Sequence, residues 1–209
     1  MQRKHNKKQS EEELRLFEAE AMYAESIFHG SMGDMEACIA ATEKTLEIMP
    51  DYPPALLTMG SIEYQRGRPD EGARLFSTLL TLPNESGDLS EVIDKAGDFL
   101  IQEARYDEGL TLYQAAVKKF PECASLYQGV GCCAGHQGLF EKAIEASQRA
   151  LELEPDNQEF VNDLGWSLFQ AGRLEEAEEM LLRAVAMDPS DELARENLHH
   201  CQRMRTEEP

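Results

Sequence analysis

Apolar residues recur along this chain in short blocks at helical spacing, and the blocks come in pairs. Leu14, Phe17, Ala21 and Met22 share one side of a helix predicted from Ser10 to about His29. Ser10 is a good N-cap, and Glu11, Glu12 and Glu13 suit the positive end of that helix. Gly30-Ser31-Met32-Gly33 turns the chain, and a second helix runs from Met35 to about Met49, stopping at Pro50. The plan repeats in Pro53–Leu82, Ser90–Phe120, Ala124–Glu154 and Gln158–Asp188, closed by Pro83, Pro121, Pro155 and Pro189. A last amphipathic helix, Asp191 to about Arg205, carries Leu193, Ala194, Leu198 and Cys201 below a polar outer face.

Three columns of small or turn-forming residues keep one rhythm. Cys38, Gly72, Gly109, Ala143 and Ala177 are separated by 34, 37, 34 and 34 residues. Gly33, Gly67, Ala104, Gly138 and Gly172 follow with the same gaps, as do Thr45, Leu79, Ala116, Ala150 and Ala184. Self-similarity at this period predicts stacked helical hairpins that bury their apolar faces only against neighbours. Gly60, Gly97, Gly131 and Gly165 fall mid-helix, where glycine costs about 1 kcal/mol relative to alanine. The expected offset is close approach to Gly72, Gly109, Ala143 and Ala177, with Phe76, Tyr113 and Leu181 filling the next layer.

These residues resemble the tetratricopeptide repeat family over about 19–205. The fourth unit matches its pattern with Tyr127, Val130, Gly131, Ala143, Ser147, Ala150 and Pro155. The fifth matches with Val161, Leu164, Gly165, Ala177, Leu181, Ala184 and Pro189. The first unit departs most, with Glu25 and Ser26 where apolar and small residues belong, and residues 84–89 make one step three residues too long. The resemblance implies an all-α, right-handed α-α superhelix. The organisation expected is a flexible basic head at 1–9 and one solenoid over 10–205. Its units lie at about 19–52, 53–86, 90–123, 124–157 and 158–191, followed by a capping helix at 191–205 and a tail at 206–209. Met1 and the polar end at Glu207-Glu208-Pro209 suit a complete small chain.

Composition narrows the partner. Twenty Lys and Arg stand against 40 Asp and Glu, for a formal charge of -20. Arg3, Lys4, Lys7 and Lys8 concentrate cations in the first ten residues, so the remainder is more acidic still. Such a body disfavours nucleic acid and anionic lipid and favours basic partners. No apolar run reaches the roughly 20 residues of a membrane span. No signal-peptide pattern is visible, and the odd set Cys38, Cys123, Cys132, Cys133 and Cys201 reads as reduced thiols. A cytoplasmic protein is expected.

The resemblance also implies a concave groove lined by the first helices, in which the family usually holds a peptide or an extended protein segment. Partner-binding candidates there are Tyr23, Tyr64, Glu91, Asp94, Asp98, Gln128, His136, Glu159, Asn162, Trp166 and Phe169. The Lys, Arg and Asn clamp with which one branch of the family grips acidic chaperone tails is missing, apart from Asn162. Asp94 and Asp98, one turn apart, suit a Lys or Arg, while Trp166 and Phe169 suit an aromatic anchor or cation–π platform. The leading expectation is a non-catalytic adaptor for a basic or basic–apolar segment. A self-assembling structural protein, joined by its repeat ends or with the basic head in an acidic groove, is one alternative. A secretion or assembly chaperone and an accessory enzyme subunit are the others.

Enzymatic signals are weak. Gly129-Val-Gly131-Cys-Cys-Ala-Gly135 resembles a dinucleotide loop but falls inside a helix rather than after a strand. Cys132 with His136, and His199-His200-Cys201, lack the second ligand pair that zinc needs, although Cys132 could serve as a reactive thiol. No nucleophile–base–orienter grouping is present. No metal, no cofactor and no enzymatic activity are therefore expected. Asn84-Glu85-Ser86 is a glycosylation sequon that matters only in a secreted chain.

Overall fold

The computed structural model describes residues 2–84 and 88–207. Eleven helices and no strand occur among them: α1 (Gln2–Ser31), α2 (Met35–Ile48), α3 (Pro53–Gln65), α4 (Pro69–Thr81), α5 (Leu89–Gln102), α6 (Tyr106–Lys119), α7 (Ala124–His136), α8 (Phe140–Leu153), α9 (Gln158–Gln170), α10 (Leu174–Met187) and α11 (Glu192–Glu207). Each pair is an antiparallel hairpin, as α1 with α2, α3 with α4, α7 with α8 and α9 with α10. The predicted helix pairs are therefore present, with proline past the end of each second helix. One expectation changes: the first helix begins at Gln2 rather than Ser10, so residues 2–9 belong to α1. The helices group into two compact units, 1–96 and 97–209, divided within α5. Residues 85–87, half of the surplus 84–89 loop, lie outside the described residues, and with them Glu85 and Ser86 of the sequon.

The turn column performs one task five times. Gly33, Gly67, Gly138 and Gly172 adopt φ of 72–76°, and Ala104 takes the same left-handed conformation at φ 55°. The next residue donates its N–H to a carbonyl five residues back, as Arg68 to Glu63 and Arg173 to Leu168, which closes the helix end. In the first unit Glu63, 5% exposed, is held there by Arg68, whose Nη2 donates to Oε1 at 2.7 Å.

Packing within the hairpins includes the expected small-against-small approach, since a Cβ at Gly72 would lie 2.9 Å from Gly60 O. Gly60, Gly97 and Gly165 also receive a large side chain directly, whereas Gly131 meets Ser147. A Cβ at Gly60 would lie 2.4 Å from Phe76 Cε1, and one at Gly165 would lie 2.7 Å from Leu181 Cγ. Gly72 likewise makes room for Tyr64. In the second unit Tyr113, fully buried, lies against Gly97 of α5 and Gly129 of α7 together. Its hydroxyl donates to Asp98 Oδ1 at 3.0 Å. In each case burial of a large apolar side chain, worth about 1.5–3 kcal/mol, offsets the glycine's helix cost. The first hairpin differs: Ser26, 1% exposed, meets Thr42 Oγ1 at 2.6 Å. Thr42 already donates to Cys38 O, so Ser26 is the donor between the two hydroxyls.

Sidedness of α1 also differs from the sequence pattern. Ala19 and Ser26 are buried and Met22 is half-buried, whereas Leu14, Phe17 and Ala21 stay exposed. No helix among the described residues is long and apolar enough to cross a membrane.

Candidate protein-binding surface

Three pairs of neighbouring helices, α1 with α3, α7 with α9 and α9 with α11, are tied together by the same polar contact. It joins the fifth position of one repeat to the sixth of the next, 35 residues on. In the first unit Tyr23 Oη lies 3.0 Å from Thr58 Oγ1. In the second unit Gln128 Nε2 donates to Asp163 Oδ2 at 2.7 Å, and Asn197 Nδ2 donates to Asn162 Oδ1 at 3.0 Å. The partners Thr58, Asp163 and Asn197 were not singled out from the sequence. Their signal was present as polar pairs at constant separation, one step longer than the repeat.

These rungs decide which candidates remain available to a ligand. Asn162 is 3% exposed and its carbonyl is committed to Asn197. Gln128 is half-buried, with its amide on Asp163. Tyr23 is half-buried and meets Tyr52 edge-on at 5.5 Å. Burial raises the Tyr52 phenol's pKa above its usual value, with Glu20 and then Tyr23 adding to the shift. Tyr64, 6% exposed, packs on Phe76 and belongs to the core. Glu91 is exposed and accepts from Lys95 at 2.6 Å, and Asp94 is half-buried. Of the eleven candidates, Tyr23, Tyr64, Glu91 and Asp94 lie in the first unit and the other seven in the second.

The second unit offers rings beside carboxylates. Trp166 and Phe169 on α9 sit with ring centroids 5.0 Å apart and planes at 32°, both half-buried. Glu159, two turns before Trp166, is exposed. Asp163 is one turn before Trp166. Burial raises its carboxyl above the ordinary aspartate range, and the bond from Gln128 only partly counters this. His136, exposed at the end of α7, stacks on Tyr106 at 4.0 Å and 6°. Gln137 donates to Tyr106 O and fixes that corner. Asp98 is exposed and keeps one oxygen on Tyr113. Neither α7 nor α9 contains a Lys or Arg.

Other chemistries fare poorly here. Burial, then Asp163 and Asp98, push the Cys132 thiol up, opposite to the shift a reactive thiol needs. Cys133 is pushed up to about 12, chiefly by burial. Cys201 is buried and donates to Leu174 O. No cluster of His, Cys, Asp or Glu among the described residues has metal-holding geometry. The glycine-rich stretch lies within α7, where Gly129 admits Tyr113, Gly131 faces Ser147 and Gly135 leaves room for the Gln170 amide.

Helical hairpins of this spacing, with small residues receiving large ones, define a tetratricopeptide repeat protein. Two family models described as tetratricopeptide repeat match the chain, over residues 95–151 and 136–198. The chain belongs to the tetratricopeptide repeat family. It is similar to the Protein CTR9 homolog of Arabidopsis thaliana, 29% identical over 140 residues, covering 66% of this chain and 9% of that protein. Across the curated relatives it matches, the aligned region spans 9–31% of their length. Among solved structures, MamA 41-end from Desulfovibrio magneticus RS-1 superposes with a TM-score of 0.61 at 21% identity, over 83% of this chain and 97% of that one. YrrB, described as a TPR protein with an unusual peptide-binding site, gives 0.61 at 19% identity over 84% and 89%.

Proposed function

We propose that this protein is a non-catalytic adaptor whose second unit holds a protein segment carrying basic and apolar side chains. The observation that carries this reading is the Trp166–Phe169 pair, half-buried on a helix that bears Glu159 and Asp163 and no cation. A partly open aromatic pair supplies anchor area of the kind that dominates interface energy. Adjacent carboxylates supply the charge that selects Lys or Arg over Asp or Glu. The solved relative with a peptide-binding site supports the peptide-holding part of the reading.

Trp166 is the only tryptophan in the chain, so its fluorescence reports on the site directly. Titration of the full chain with an Arg- and Leu-containing peptide should shift its emission, and an acidic peptide of equal length should not. Trp166→Ala should weaken binding, followed calorimetrically, by about 2 kcal/mol. Equal affinity for the acidic and basic peptides, or no loss in the variant, would overturn the proposal.

A further inference from the structure

The face of α1 turned away from its core carries an apolar stripe that stays exposed among the described residues. Leu14, Phe17, Ala21, Ala24 and Phe28 follow the alternating spacing of three and four residues that coiled-coil seams use. At about 100° per residue they fall within an arc of about 80°, roughly opposite the buried Ala19 and Ser26. All five are exposed, Phe17 by 68% and Phe28 by 61%. Two phenyl rings and a leucine on one open helical stripe are not explained by packing within the unit.

The edges of the stripe say what would cover it. Glu18 and Glu25, seven residues apart, run along one side, and Glu13 and Glu20, also seven apart, run along the other. All four are exposed. In a two-stranded coil these edge positions meet the partner's edges and decide its identity. Arg15 is the only Lys or Arg between residues 11 and 31, and its Nη2 donates to Ile48 O at the end of α2, away from the stripe.

We propose that this face pairs with a helix of another protein that presents a Leu- or Ile-type seam flanked by Lys and Arg. Ala21 and Ala24, at mid-seam, leave room for large partner side chains. A second copy fits poorly, because its glutamates would meet glutamates along the edges. The same glutamates oppose an anionic membrane surface. Residues 2–9 of another copy carry cations but no apolar residue with which to fill the seam.

The test uses the full chain and two synthetic peptides of about four heptads, both with Leu at the seam. One carries Lys at both edges and its twin carries Glu. The Lys peptide should bind, more weakly as salt rises, and the twin should not. Phe17→Asp with Phe28→Asp, both at exposed positions, should reduce binding by more than about tenfold. Glu18→Lys with Glu25→Lys should move the preference towards the Glu twin. Trp166→Ala should leave this binding unchanged, which separates it from the segment-binding site on α9. Equal binding of both peptides, binding of neither, or indifference to the paired Phe substitutions would overturn the proposal. So would a dimer in sedimentation that Phe17→Asp dissociates, or adsorption to phosphatidylcholine–phosphatidylserine vesicles through the same residues.

Discussion

The first and third hairpins make the same contact with opposite materials. In both, a residue of the first helix meets one sixteen positions later on the second. In the third hairpin that pair is Gly97 and Tyr113, a notch and a ring. In the first it is Ser26 and Thr42, two buried hydroxyls 2.6 Å apart. At this register the repeat accepts a glycine with a ring or a pair of bonded hydroxyls, so residue type is not fixed there. A serine that breaks the apolar pattern is therefore accommodated once its partner is also a hydroxyl.

Four substitutions test this difference, from the largest effect to the smallest. Tyr113→Ala should cost about 3–5 kcal/mol in chemical denaturation, because it empties a space walled by α5 and α7. Gly129→Ala should cost about 2–3 kcal/mol, since its Cβ would lie 2.2 Å from Tyr113 Cζ. In the Tyr113→Ala background the same change should become neutral or stabilising. Additive losses would show that the ring is not the obstacle. Ser26→Ala should cost about 1 kcal/mol, because Thr42 keeps its bond to Cys38 O. Gly131→Ala should be near zero. There a Cβ would lie 3.1 Å from Ser147 Oγ, and the helix gain of about 1 kcal/mol offsets that crowding.

Much of the fold was legible because packing in such hairpins is local. The turn column from Gly33 to Gly172 predicted every left-handed corner, including the non-glycine Ala104. Contact partners were less legible, since repeat spacing shows which positions correspond but not which of them touch. Gly60 does approach Gly72, as expected, but its direct contact with Phe76 is not legible from the spacing. The sidedness of α1 was hidden for a related reason. Leu14 and Phe17 look like core on any periodicity, and only the placement of α2 shows that Ala19 and Ser26 are inside. At the candidate site, repeat position marks Trp166 and Phe169 as lining residues, and the structure finds their rings in contact and half-buried. Tyr64 and Asn162 were not separable from them, because burial of a lining position depends on whether a neighbour such as Thr58 or Asn197 offers it a bond.

Tyr113 ends with a consequence for how the second unit opens. One ring is gripped by helices of two consecutive repeats, so neither can fray without exposing it. Local opening there should be cooperative. Amide protons of α5 beyond Ala96, of α6 and of α7 should exchange with solvent at a common free energy, while α11, joined to α9 by the Asn197–Asn162 bond, should exchange sooner.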